Sequence, residues 1–202
     1  MRAEYPKEWD KYPSVTEVLD ILPKPYIPVA IKNKAMEIGS DVHAAIEAIL
    51  KNKTVEIDTQ YPEEVGNAIK AFNKFRKDNP FEVIECEKQY CTQEDGFKGT
   101  IDSIVKFKNK DLLAVVDWKS SNAFYDTNYY QIAAYVLLYE NNINAACLVR
   151  LDKKTGDYEK LFINKSDIDL YKDIFLATLN LYKLLKQKEK RDEQMGDRVS
   201  GK

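Results

Sequence analysis

The chain of 202 residues has little cysteine, histidine or glycine: three, one and seven residues respectively. Cys86, Cys91 and Cys147 are one short of a four-ligand zinc or iron–sulfur site and too few for a disulfide framework. Free thiols are therefore expected, and no iron–sulfur cluster. None of the glycines falls in a G-x-x-x-x-G-K-[S/T] sequence, which excludes an ATP-driven motor of the P-loop kind. No apolar run approaches the ~20 residues of a membrane span, and the opening "MRAEYPKEWDKYPS" lacks the apolar core of a signal peptide. A cytoplasmic location with no membrane partner is expected. Excess charge of either sign is missing too: 31 Lys and Arg against 33 Asp and Glu leave a formal charge of −2. Binding to nucleic acid would have to come from a local patch.

What is present suits one domain. With 44% hydrophobic and 32% charged residues, the chain can build one substantial core. Five of the seven prolines (Pro6, Pro13, Pro23, Pro25, Pro28) lie in the first thirty residues, which read as an irregular arm packed on the body, with a short helix near residues 16–22. From Ile31 the apolar positions Ala35, Ile38, Val42, Ile46 and Ile49 keep helical spacing, and a second helix opens at Pro62, a residue favoured in a first turn. The period then falls to two. "FEVIECEKQYC", "FKGTIDSIVKF" and "DLLAVVDWK" read as three strands of an antiparallel meander. A buried helix over 126–140 follows, then a hairpin of "AACLVRLD" and "YEKLFIN" about a "KKTGD" turn. A last helix capped by Ser166 carries the stripe Tyr171, Ile174, Phe175, Thr178, Tyr182 and Leu185. The body spans 31–185, and 186–202, mixed in charge and almost without apolar residues, reads as a flexible tail. This order indicates an α/β fold, a mixed central β-sheet flanked by helices.

The end of the third strand carries the chemistry. Positions i and i+2 share a strand face, so Asp117 and Lys119 project together while Trp118 points the other way. Asp102, at the end of "GTID", lies where a hairpin partner brings it beside Asp117. Two converging carboxylates repel unless a cation sits between them, and hard oxygen ligands suit Mg²⁺ or Mn²⁺. A lysine beside them can hold water or balance phosphate charge. Alone, D-x-K at a strand end is more often a solvated ion pair; its neighbours decide the reading.

Those neighbours are "GSDVH" on an early helix, a glutamate in "ECEKQY", "GTID", "VVDWKS", and "QIAAY" on the next helix. In this order they resemble the PD-(D/E)XK nuclease superfamily, and within it the RecB-type and mitochondrial genome-maintenance exonuclease branch, over roughly residues 13–139. The resemblance implies a restriction-endonuclease-like core, with Asp102 and Asp117 as metal-binding carboxylates and Lys119 as the catalytic lysine. It further implies His43 as a metal ligand, the Trp118 carbonyl as another, and Gly39 as a point where another backbone approaches closely. Alternation cannot separate Glu85 from Glu87; the spacing of Glu87 to Gly99 resembles the family pattern better, which makes Glu87 both metal ligand and catalytic residue. Gln131 and Tyr135, on one helical face at i and i+4, match the Q-x-x-x-Y motif, the glutamine serving a phosphate, the lysine or the water, and the tyrosine contacting DNA or the reacting phosphate; a polar pair packed at a helix edge is the alternative, for Tyr135 in particular.

The activity implied is Mg²⁺- or Mn²⁺-dependent phosphodiester hydrolysis leaving 5′-phosphates, by an exonuclease acting on single-stranded DNA or DNA ends in replication, recombination or repair, cellular or phage, where protein partners are possible. A structure-specific endonuclease and a non-catalytic DNA-binding module keeping the nuclease fold are the alternatives. Lys24, Lys32 and Lys34, or Lys70, Lys74 and Arg76, can supply phosphate contacts, and Tyr125, Tyr129 and Tyr130 can stack on bases; solvated faces and core packing explain these residues equally well.

Overall fold

The computed structural model describes residues 5–56, 58–109, 112–139, 143 and 145–200, the side chains of 196–200 excepted. Three strands in succession, β1 (Phe81–Thr92), β2 (Phe97–Phe107) and β3 (Leu112–Lys119), form the expected antiparallel meander. Helix α4 (Asp126–Leu138) then carries the chain across the sheet, so β4 (Ala145–Leu151) runs parallel to β3 and β5 (Tyr158–Ile163) closes antiparallel on β4. A parallel neighbour needs such a crossover, and a buried apolar helix supplies it. The sheet order is β1-β2-β3-β4-β5, which leaves β3 central. Mixed sheet and flanking helices are as the sequence led us to expect.

Being central, β3 is covered on both faces and alternates between two cores. Ala114, Val116 and Trp118 face α2 (Val29–Leu50) and α3 (Pro62–Asp78), where Ile38, Val42, Phe72 and Phe75 are buried. Val115 faces the other core, built from α1 (Val15–Leu19), α4 and α5 (Lys165–Ser200). Trp118 is 1% exposed and meets Phe72 and Phe75 edge-on, at centroid distances of 5.0 and 5.5 Å. Its indole N–H donates to Ser103 Oγ at 3.0 Å, so ring packing and a hydrogen bond fix the last turn of the pleat before Lys119.

Several boundaries differ from the sequence reading. The arm's helix is α1, shifted toward the N-terminus because Ser14 and Glu17 form a reciprocal capping box. Ahead of it, Lys98 N–H donates to Pro13 O at 2.9 Å and Lys98 Nζ to Trp9 O at 3.0 Å, which ties this part of the arm to β2. Helix α2 begins at Val29, directly after Pro28, two residues before the expected start. Helix α5 is capped not by Ser166 but by Asn164, whose Oδ1 accepts from the Asp167 amide at 3.0 Å. The same helix continues through the charged segment to Ser200, supported by Lys186–Glu189 and Lys188–Asp192 pairs three and four residues apart. The predicted end of α4 at Glu140 lies outside the described residues. Among the described residues no helix is long and apolar enough to cross a membrane.

Candidate metal centre

The β2–β3 ladder ends on the pair Ser103 and Val116, and Asp102 and Asp117 are the next residues of their strands beyond it. Both carboxylates are buried, at 2% and 1% exposure. Helix α2 passes over this point and brings His43, while β1 brings Glu87. One ligand atom each from His43, Glu87 and Asp102 lie within 4.8 Å of one another. His43 Nδ1 is 3.4 Å from Glu87 Oε1 and 3.6 Å from Asp102 Oδ2. Asp102 Oδ2 also accepts the Trp118 backbone N–H at 3.1 Å, so the strand that carries Asp117 orients its neighbour's carboxylate.

The backbone distinguishes the two glutamates. Alternation puts Glu85 and Glu87 on one face, but Glu87 has φ +49° and the β1–β2 register shifts between Val83 and Glu85. A left-handed conformation outside glycine costs about 1–3 kcal/mol and persists where surroundings impose it. Glu85 instead accepts from Lys88 Nζ at 2.6 Å and from the Tyr90 hydroxyl. Glu87 turns toward His43. Between the two, Cys86 keeps its proton: burial, then the Glu87 charge, push its thiol up to about 12.

Asp117 and Lys119 do project together. Lys119 Nζ lies 2.7 Å from Asp117 Oδ2 and donates to Gln131 Oε1 at 2.7 Å; Gln131 Nε2 in turn donates to the Tyr135 hydroxyl at 2.8 Å. This chain of contacts connects the end of β3 to α4. Tyr135 is 3% exposed, which suits a packed polar pair: its hydroxyl accepts from Gln131, whose Oε1 in turn accepts from the lysine. Gly99 lies beneath it. A Cβ at 99 would come 2.8 Å from Leu138 Cδ1 and 3.0 Å from Tyr135 Cε1, so the glycine is needed where α4 crosses β2. Gly99→Ala is expected to lower the melting temperature, an overpacking cost of roughly 1–3 kcal/mol, which thermal melts check. At Gly39, by contrast, a Cβ would meet only the Ser120 hydroxyl at 3.5 Å, an ordinary contact. Among the described residues a side chain, and not the expected main chain, faces α2 there.

Can these residues hold a divalent cation? Asp117 Oδ1 accepts no hydrogen bond among the described residues although it is buried. Burial pushes the Asp117 carboxyl up to about 6, with Lys119 pulling it down and Asp102 pushing it up. A buried carboxylate oxygen beside an imidazole and two further carboxylates is a donor set that suits Mn²⁺ or Mg²⁺. A cleft of about 360 Å³ opens beside it, lined by Met36, Gly39, Ser40, His43, Ala44 and Glu87 among others.

The remaining candidates scatter. Lys74 is paired with Asp157 at 2.6 Å, Arg76 lies over the Phe72 ring, Lys34 is paired with Glu64 at 2.8 Å and Lys24 with Asp20. Tyr129 and Tyr130 pack on Tyr171, which leaves Tyr125 as the exposed member of that trio. Sequence reasoning missed Lys153, whose Nζ donates to Ser120 O at 3.0 Å right after Lys119; the lysine pair in "KKTGD" was its only signal.

No family model matches the chain, and no curated protein is significantly similar to it. Among solved structures, it is similar to an alkaline exonuclease (LHK-Exo) from Laribacter hongkongensis at 16% identity and a TM-score of 0.46, covering 92% of this chain and 99% of that one. The same exonuclease in complex with dAMP matches at 15% identity and 0.46, over 91% and 96% of the two chains. SSO0001 matches at 15% identity and 0.35, over 83% and 82%. At such low identities and TM-scores, these likenesses add nothing to what the residues themselves say.

Proposed function

We propose that this protein is a metal-dependent deoxyribonuclease of the PD-(D/E)XK superfamily, in the RecB-type and mitochondrial genome-maintenance branch, that hydrolyses phosphodiester bonds to leave 5′-phosphates. One observation carries the reading. At the end of β3, the His43–Glu87–Asp102 group, the buried Asp117 and a lysine already in contact with Asp117 converge beside an open cleft. Structural ion pairs have no use for a carboxylate oxygen left unbonded in a protein interior, where it costs about 1–3 kcal/mol or more.

His43, Glu87, Asp102 and Asp117 would hold the cation, and the Trp118 carbonyl is a further candidate. When bound, a divalent cation lowers the pKa of a water and offsets charge on the phosphate. The chain's own residues do the rest. Lys119 is held on two sides by Asp117 and Gln131, so its ammonium stays aimed at the place where water attacks and negative charge grows. Gln131 and Tyr135 are positioning residues: Tyr135 fixes the glutamine rotamer and the glutamine fixes the lysine. An imidazole among the donors favours Mn²⁺ relative to an all-oxygen set. The "QIAAY" resemblance supports an exonuclease over an endonuclease.

The test is a time course on end-labelled single-stranded, duplex and covalently closed circular DNA. Mn²⁺ should support cleavage at least as well as Mg²⁺, with ligatable 5′-phosphate products and intact circles. Equal cleavage in excess EDTA sinks the metal mechanism, and rapid cutting of closed circles sinks the exonuclease choice. Intact DNA under every condition, with Mn²⁺ bound, leaves the non-catalytic module.

A further inference from the structure

Helix α5 is longer than the body needs. Its 36 residues extend about 54 Å, and one side packs into the core with α4 and α1 through Ile168, Phe175 and Leu179. From Leu184 to Met195 every residue is exposed. A second side carries apolar residues where a solvent-facing helix would carry charge: Leu170, Leu181, Leu184 and Met195 are 56%, 48%, 52% and 57% exposed. With the exposed Ala177 they follow steps of seven, four, three and eleven residues, the a and d positions of one heptad frame, and Lys188 and Arg191 occupy the two such positions inside the last step. Down the axis the five lie within about 60° of one another, turned away from the buried Phe175 and Leu179. Single exposed leucines are ordinary; a stripe of them in register marks a contact face.

Two charges at the edge of this stripe lack counterparts within the helix. Lys172, Lys186 and Lys188 are matched by Asp169, Glu189 and Asp192 three or four residues away. Asp173 has Asp169, Leu170, Leu176 and Ala177 at those distances, and Arg191 has Gln187, Lys188, Gln194 and Met195; among the described residues neither makes an ion pair. They stand about 27 Å apart along the axis and cannot meet in one copy. Antiparallel pairing of two copies brings them together. With the two-fold axis passing between Tyr182 and Lys183, Leu181 of each helix faces Leu184 of the other, Leu170 faces Met195, and the same register sets Asp173 beside Arg191. Ala177 then faces Lys188, where a small residue leaves room for the lysine's methylene stem. A parallel pair would instead set Asp173 against Asp173 and Arg191 against Arg191. The apolar layers and the charges thus select one arrangement, and it is self-complementary, as a two-fold interface must be.

We propose that the Leu170–Ala177–Leu181–Leu184–Met195 stripe is the interface of a homodimer, formed by antiparallel pairing of α5 with α5 of a second copy. The inference goes beyond the nuclease reading and does not depend on it. It also gives the exposed end of α5 a role: a stretch of helix without tertiary packing is marginal in water, and in the pair this end lies along the other copy's helix.

Sedimentation velocity of the full-length protein over a wide concentration range tests this, with circular dichroism confirming that each variant is folded. The parent should sediment as a monomer–dimer equilibrium. Leu184→Glu changes an exposed side chain but would set two carboxylates among the central leucines of the pair, and should raise the dissociation constant about tenfold or more. Asp173→Arg and Arg191→Asp should each weaken the dimer a few-fold, and the double variant, which exchanges the two charges across the interface, should recover the parent's constant. The exchange keeps the proposal testable even if Leu184→Glu does not fold. A protein that is monomeric at every concentration, its stripe then left to a different partner, overturns the homodimer; so does a trimer or larger assembly, or a dimer indifferent to Leu184→Glu. Single charge variants whose defects add in the double variant, with no recovery, overturn the antiparallel register.

Discussion

Replacing Lys119 with alanine is expected to reduce Mn²⁺-dependent cleavage by about 10³-fold or more, the range in which charge stabilisation and proton handling by one positioned group fall. Its ammonium is in direct contact with Asp117, and Gln131 holds it from the other side. Loss of the side chain removes the group that faces the developing charge but none of the apolar contacts that seat β3, since Trp118 points into the opposite core. Fold, measured by circular dichroism, and Mn²⁺ affinity, measured by calorimetry, should stay within a few-fold of the parent. Arginine should not restore turnover, because a planar guanidinium cannot occupy the same point between a carboxylate and an amide. Undiminished turnover in Lys119→Ala would falsify the assignment of the lysine.

The features legible from the sequence were those set by period and pairing. Alternation alone puts Asp117 with Lys119 and Trp118 opposite, and a hairpin of two strands brings Asp102 near Asp117; in the structure Lys119 meets Asp117, and Asp102 accepts the backbone N–H of the residue after Asp117, just beyond a stretch of β2–β3 pairing without a bulge. His43 and the sheet's crossover were legible through the order of motifs and the apolar α4. What escaped depends on single backbone angles or on docking over long sequence separations. The left-handed residue at Glu87 undoes the alternation that made Glu85 its equal. The lysines of the β4–β5 turn acquire a place near Lys119 because β4 runs parallel beside β3 and because Asn67, 86 and 87 residues away, helps pin the turn to α3. Neither has a periodic signature. Tyr135 was legible as a partner of Gln131 and illegible as a buried one, since burial of its ring depends on the glycine at 99.

Asp117 offers the second large effect, this time in stability. The fold raises its carboxyl from the usual carboxylate range to about 6, so the folded chain binds a proton more tightly than the unfolded chain does. The ionised form is therefore penalised in the metal-free protein: the penalty is absent below about pH 4, grows as the pH rises to about 6, and is constant above that. A rise of this size corresponds to about 3 kcal/mol, or roughly 6–12 °C of melting temperature for a chain this long. Asp117→Asn, shaped like the protonated acid but unable to ionise, escapes it. In EDTA, the melting temperature of the variant relative to the parent should rise by that amount between pH 4 and pH 7; a difference independent of pH would show that burial does not penalise this carboxylate. With Mn²⁺ at pH 7 the ranking should move the other way. The parent gains by mass action, about 2.7 kcal/mol at a hundredfold excess over Kd, while the variant, lacking an anionic oxygen, gains little. A carboxylate that weakens the empty fold and strengthens the loaded one is the energetic signature that separates a metal ligand from a buried ion pair, whose stability would not respond to the cation at all.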